Sequence, residues 1–186
     1  IILFPHNLGQ LRLGVERTPR LMKNILDKSN RYYEVQCKQV PTHRNLVENI
    51  QNLYYTNESV KGKRVNIGGD HSMSIATIAY SLNKYPDLKV FWFDAHADIN
   101  TIQSSNTNNY HGMPLSFLTG LTKKNEFTFI HNILPFDRLM YVGVRDTDAY
   151  EKEIIKKHNI NHITMNEIKS NLKIVGEKLE EFSENS

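Results

Sequence analysis

The sequence predicts an α/β fold, a three-layer α/β/α sandwich built on a parallel sheet, in one domain spanning residues 1–186. Two observations carry that expectation. Short strand-like runs alternate with longer segments of helical period, the pattern that parallel strands with crossover helices produce. The chain has 186 residues, 39% of them apolar, which is enough to bury one sizeable core.

In chain order, "IILFPH" (1–6) reads as the first strand. Thr18 then offers an N-cap with Pro19 at the first helical position of "TPRLMKNIL". A second strand is expected at "RYYEVQC" (31–37), followed by a helix whose inner face carries Leu46, Ile50 and Leu53. "KRVNIGG" (63–69) is the third strand, and Ile75, Ile78, Ala79 and Leu82 mark the next helix by their i, i+3, i+4, i+7 spacing. The fourth strand is "LKVFWFDA" (88–95), the fifth "RLMYVGV" (138–144) and the sixth "NHITM" (161–165). Ile168, Leu172, Val175, Leu179 and Phe182 then repeat at alternating steps of four and three, as one final helix would. The long polar stretch Thr101–Gly112 follows the fourth strand, where ligands of open α/β sheets bind.

Lys and Arg (23) exceed Asp and Glu (20) by only 3, and the basic residues are scattered in short groups, so no nucleic-acid partner is expected. Cys37 is the only cysteine, which permits a reducing compartment. No apolar run is long enough to span a bilayer, and "IILFPHN" lacks the basic flank of a signal peptide. The expectation is a cytoplasmic protein with no membrane partner. The chain starts without Met and stops in "KLEEFSENS", which suggests a fragment.

The chemistry concentrates in "VFWFDAHADIN", residues 90–100. In extended backbone, Asp94, His96 and Asp98 would share one face while Ala95 and Ala97 turn away. Carboxylates crowded beside Phe91, Trp92 and Phe93 call for a compensating positive charge, which a divalent cation of the Mn, Zn or Fe(II) type supplies. Taken alone, the string also fits surface salt bridges or a capped turn. "NIGGDHS" (66–72) repeats the arrangement one strand earlier, with His71 as either a helix-start residue or a further ligand. It matches neither G-x-x-x-x-G-K-[ST] nor G-x-G-x-x-G, so a phosphate loop is not indicated.

"GGDHS", "DAHADIN" and "HGMP", in this order and at these spacings, resemble the ureohydrolase family of arginases, agmatinases and formimidoylglutamases, and their details look like the arginases. Gly14, Val15 and Glu16 resemble the same family's Gly-Val-Glu loop. The resemblance implies a site for two Mn²⁺ ions, one served by His71, Asp94 and Asp98 and the other by His96 and the bridging Asp94. It implies hydrolysis of L-arginine to L-ornithine and urea, with Asp98 orienting the attacking water and relaying its proton, and His111 as proton shuttle. Asn100 matches the family, and Thr107, Asn109 and His111 follow its Ser-x-Asn-x-His-Gly string with Thr in place of Ser. These side chains would bind the amino-acid end of arginine. "RDTDAYE" makes Asp148 a partner for the α-ammonium and Glu151 either a second contact or an acid of the first helical turn. A homotrimer or homohexamer is also implied.

One departure matters. The family's later Asp-x-Asp strand and its guanidinium-gripping Glu do not occur in these residues. The favoured expectation is therefore the N-terminal part of an arginase, cut before that strand, with an unpaired sheet edge and no activity of its own. The alternatives are an agmatinase-like guanidino hydrolase and a truncated, non-catalytic binding protein.

Overall fold

The computed structural model describes residues 1–28, 37–123 and 126–184. All strand pairings in it are parallel. Strand β1 (Ile2–Phe4) lies between β2 (Lys38–Gln39) and β3 (Asn66–Gly68), and β5 (Leu139–Val142) lies between β4 (Val90–Phe93) and β6 (Asn161–Ile163). The expected sheet is thus present as two three-stranded sheets. Successive strands β3 and β4 do not pair; each ends its own sheet. Residues 31–36 of the expected second strand lie outside the described residues, and β2 begins just after Cys37.

Seven helices are described: α1 (Thr18–Lys28), α2 (Leu46–Ser59), α3 (Ser74–Lys84), α4 (Pro114–Leu118), α5 (Ala149–Lys157), α6 (Met165–Ser170) and α7 (Leu172–Glu184). Asn45 caps α2 by accepting from the Glu48 N–H at 3.1 Å, and Ile50 and Leu53 on its inner face are fully buried. On α3, Ile75, Ala79 and Leu82 are buried on the predicted stripe. Thr18 is the first residue of α1 rather than its cap, because a 3₁₀ turn, Val15–Arg17, already leads into the helix. The periodic segment 168–182 is two helices instead of one. Asn171 is extended (φ −160°, ψ 98°) and its side chain accepts from the Lys173 N–H at 3.0 Å, which stops α6 and starts α7.

The alternation along β5 explains the layers. Leu139 and Tyr141 point into the main core with Phe4, Ile50, Leu53, Ile75 and Leu82, whereas Met140 and Val142 point into a second core with Ile163 and Phe182, against which Val175 and Leu179 of α7 pack. Both faces of this strand are covered, as parallel strands require. Among the described residues no helix is long and apolar enough to cross a membrane.

The α6–α7 corner depends on one carboxylate. Glu167 closes a capping box with Thr164 and pairs with Lys178 of α7. The Lys178 ammonium, with help from the Thr164 N–H and hydroxyl, pulls its pKa down to about 2. A depressed carboxylate pKa stabilises the fold above its unfolded value of 4.5 and loses that contribution as pH falls toward 2. Glu167→Ala is expected to cost about 1 kcal/mol in urea unfolding at pH 7, chiefly through the lost cap. The difference from the parent should shrink between pH 4.5 and 2.

Candidate active site

The site lies beyond the carboxyl ends of β3 and β4. Backbone contacts define its geometry. The Gly69 N–H donates to the Phe4 carbonyl at 3.1 Å and the Asp70 N–H to the His6 carbonyl at 3.0 Å. A Cβ on Gly69 would sit 1.7 Å from the His6 oxygen, so a glycine is required for this close approach. A 3₁₀ turn, His71–Met73, follows, its first residue preceded by Asp70, which accepts from the Ser72 N–H at 2.9 Å. His71 stacks on Trp92 of β4 with ring centroids 4.4 Å apart, which fixes the plane of its imidazole.

Strand β4 ends at Phe93, so the alternation expected for Asp94, His96 and Asp98 does not carry through the motif. The segment beyond it bends, and Asp98 takes left-handed backbone (φ 48°), a conformation that Asp tolerates better than most residues. The bend is pinned at nearly every peptide. The Ala95 carbonyl accepts from the Arg145 and Asp146 N–H groups at 2.8 and 2.9 Å, and the Ala97 carbonyl from the buried Tyr141 hydroxyl at 2.9 Å. The Asp98 carbonyl accepts from Leu115 N–H, the Ile99 N–H donates to Glu151, and the Asn100 N–H donates to the Gly112 carbonyl.

The result is a convergence of two carboxylates on one imidazole. His71 Nδ1 is 2.6 Å from Asp98 Oδ2 and 3.1 Å from Asp94 Oδ2. Among the described residues this trio offers one ligand atom each within 4.8 Å of one another. Burial alone would lower the His71 pKa, but the hydrogen bond to Asp98 and the charges of Asp98, Asp94 and Asp70 outweigh it and raise the value above 6.5. One imidazole and two carboxylates facing a common point fit a divalent cation of the Mn, Zn or Fe(II) type.

His96 stands apart from that trio. Its Nδ1 lies 3.4 Å from Asp94 Oδ1, while its Nε2 lies 3.6 Å from Asp146, and its side chain is 57% exposed. Asp94 therefore turns one oxygen to His71 and the other toward His96.

The remaining residues singled out by motif surround this cluster. Asn100 donates to Asp148 Oδ2 at 2.7 Å and accepts from the Ser104 hydroxyl at 2.8 Å. Thr107 and Asn109 sit on the loop, where the Thr107 hydroxyl accepts from the Asn109 N–H at 3.3 Å. His111 lies in a short 3₁₀ turn, Tyr110–Gly112, and gives its Nδ1–H to the Gly9 carbonyl at 2.9 Å. Asp148 and Glu151 form a capping box at the start of α5. Glu151 is buried, one oxygen taking the Asp148 N–H and the other the Ile99 N–H, and burial raises its pKa against those two bonds. That is the first-turn role considered for it above, extended to holding the charged bend.

Three contributors had no distinctive sequence signal: Gly9, His6 and Tyr141. His6 is buried at the end of β1, and burial lowers its pKa against the opposing charge of Asp70. A polar residue inside "IILFPH" was the available hint.

A parallel α/β fold with an imidazole and paired carboxylates at the strand ends defines the class, an α/β protein with a candidate metal centre beyond its strand ends. The sequence model of the arginase family matches residues 1–186, and the chain belongs to that family. It is 34% identical to the arginase of Saccharomyces cerevisiae over 206 residues, covering 89% of this chain and 62% of the yeast protein. It is 42% identical to the Plasmodium falciparum arginase over 128 residues, covering 65% of this chain and 31% of that one. Among solved structures, Entamoeba histolytica arginase in complex with L-ornithine superposes with a TM-score of 0.86 at 26% identity, over 97% of this chain and 70% of that one. Bacillus subtilis arginase gives 0.86 at 30% identity, over 98% and 69%. The chain thus spans about three-fifths of the yeast relative.

Calorimetric titration with Mn²⁺ checks the geometry. His71→Ala is expected to weaken the tighter binding event by more than about tenfold, whereas His96→Ala, outside the trio, should leave it within about threefold. Equal losses would place the first ion elsewhere.

Proposed function

We propose that this chain is the N-terminal part of a manganese-dependent arginase that hydrolyses the guanidinium group of L-arginine to L-ornithine and urea. The observation that carries the reading is the His71–Asp94–Asp98 convergence at the strand ends, with the Asn100–Asp148 pair beside it. Two manganese ions, one held by His71, Asp94 and Asp98 and the other by Asp94 and His96, would supply Lewis-acid polarisation and a water of lowered pKa.

The chain's own residues do the rest. Asp98, buried and pinned, orients the attacking water and carries a proton toward the leaving amine. His111, whose Nδ1–H is engaged by Gly9, exchanges protons with solvent through Nε2. Asp148 faces the α-ammonium of arginine with Asn100 fixing its carboxylate, and Thr107 and Asn109 receive the α-carboxylate. Agmatine lacks that carboxylate, so these donors favour arginine. The E. histolytica relative is seen with L-ornithine, the product this reaction would yield.

The same reading assigns the remaining ligands, an Asp-x-Asp pair, to strands outside this chain. The open edges of β3 and β4, whose ends carry the trio, are where such strands would pair. A cytoplasmic homotrimer or homohexamer belongs to the same proposal.

The test is urea release by the longer protein that contains these residues, supplied with Mn²⁺. We expect arginine to be hydrolysed at least about a hundredfold more efficiently than agmatine, because agmatine leaves the groups that receive the α-carboxylate unpaired. Asp148→Ala should mainly raise KM. Hydrolysis of agmatine in preference to arginine, or of neither, contradicts the proposal.

A further inference from the structure

We propose that Asp70, acting through the peptide of Gly9, is the positioning group that sets the tautomer of His111 for the hydrolysis inferred above. The inference rests on that functional reading for its consequence, and on hydrogen-bond geometry for its substance.

A carbonyl oxygen only accepts. The Gly9 oxygen lies 2.9 Å from His111 Nδ1 and also takes the His111 backbone N–H at 3.0 Å, so in neutral His111 the side-chain proton sits on Nδ1 and the lone pair stays on Nε2. Nε2 is then the nitrogen free to accept and return a proton. The tautomer is therefore as firm as the Gly9 peptide.

That peptide is held from its other side. The Gly9 N–H donates to Asp70 Oδ2 at 2.9 Å, a bond to a carboxylate and so stronger than one to a neutral acceptor. Asp70 is itself buried, and its second oxygen takes both the N–H and the hydroxyl of Ser72. The carboxylate cannot turn without breaking those bonds. A Cβ on Gly9 would come within 2.4 Å of Asp70 Oδ1 and 2.7 Å of Ser72 Oγ, so no residue with a side chain lets the peptide lie this close.

Behind Asp70 stands a second oriented imidazole. Asn49 is fixed by His43, whose N–H donates to Asn49 Oδ1 at 2.6 Å and whose carbonyl accepts from Nδ2 at 2.9 Å. The same Nδ2 faces His6 Nδ1 at 3.1 Å, which places the proton of neutral His6 on Nε2, 3.8 Å from Asp70 Oδ2. Among the described residues this N–H makes no hydrogen bond.

Neither Gly9 nor Asp70 belongs to the His71–Asp94–Asp98 trio, so the clamp can be loosened by changing Gly9 without removing a ligand. The test uses the longer, arginine-hydrolysing protein with Gly9→Ala. With Mn²⁺ bound, kcat for arginine should fall by about tenfold to a hundredfold, the scale of a misdirected proton carrier, while KM stays within about threefold. In the metal-free protein labelled with ¹⁵N-histidine, the His111 signals should move from the Nδ1–H pattern to a mixture of tautomers.

Asp70→Asn, which keeps an oxygen for only one of the two grips, should give an intermediate loss, and it serves as the test should Gly9→Ala fail to fold. A variant that keeps the Nδ1–H pattern and the parent kcat overturns the proposal, as does a loss confined to KM. If the parent protein releases no urea from arginine, the functional reading fails, and the tautomer measurement still decides the clamp.

Discussion

The structure depends on keeping two carboxylates, Asp94 and Asp98, against one imidazole. Like charges about 5 Å apart repel by roughly 3 kcal/mol at an effective dielectric constant of 20, and neither aromatic neighbours nor a hydrophobic core relieves that. His71 supplies a partial answer, because its hydrogen bond to Asp98 and the charges of Asp98, Asp94 and Asp70 raise its pKa against the effect of burial. The rest of the answer is mechanical. Arg145 and Asp146 bond the Ala95 carbonyl, and Tyr141, Leu115, Glu151 and Gly112 each bond a different peptide group between Ala97 and Asn100, so the backbone that carries the carboxylates is held in place. A divalent cation bound there would relieve that repulsion.

Parallel strands make such a site possible at this position. Their carboxyl ends open onto one edge, and the segments leaving β3, β4 and β5 meet there through His71–Asp94, His71–Asp98 and Ala95–Arg145 contacts. Tyr141 illustrates the economy of the arrangement. Its ring fills the main core, and its hydroxyl emerges where the Ala97 carbonyl needs a donor. Glu151 joins two elements in the same manner, capping α5 and holding Ile99.

Much of this was legible in the residues. Period-two and helical patterning located β1, β3, β4, β5 and β6 and the helices around Ile50 and Ile75, because apolar residues at those positions have few other uses. The site was legible where chemistry is unusual, in charges abutting an aromatic strand. What escaped were features set by contacts distant in sequence. Alternation along an extended strand would bring Asp94 and Asp98 together, and the chain brings them together by another geometry, since the left-handed turn at Asp98 leaves no mark in composition. The same alternation would put His96 on one face with Asp94 and Asp98, whereas His96 Nδ1 lies against the other carboxylate oxygen of Asp94. The break at Asn171 was hidden because a capping Asn and a helix-surface Asn look alike in a periodic pattern. Gly9 is 61 residues from the carboxylate that makes it irreplaceable, and no local rule connects them.

Crystals of the protein grown with Mn²⁺ would decide whether His71, Asp94 and Asp98 hold a metal ion. Anomalous scattering recorded above the manganese edge should give a peak bonded to His71 Nδ1 and to one oxygen of each carboxylate, with the Asp98 backbone still left-handed. A crystal saturated with Mn²⁺ in which His71 remains hydrogen-bonded to Asp98, with no peak between them, would contradict the account.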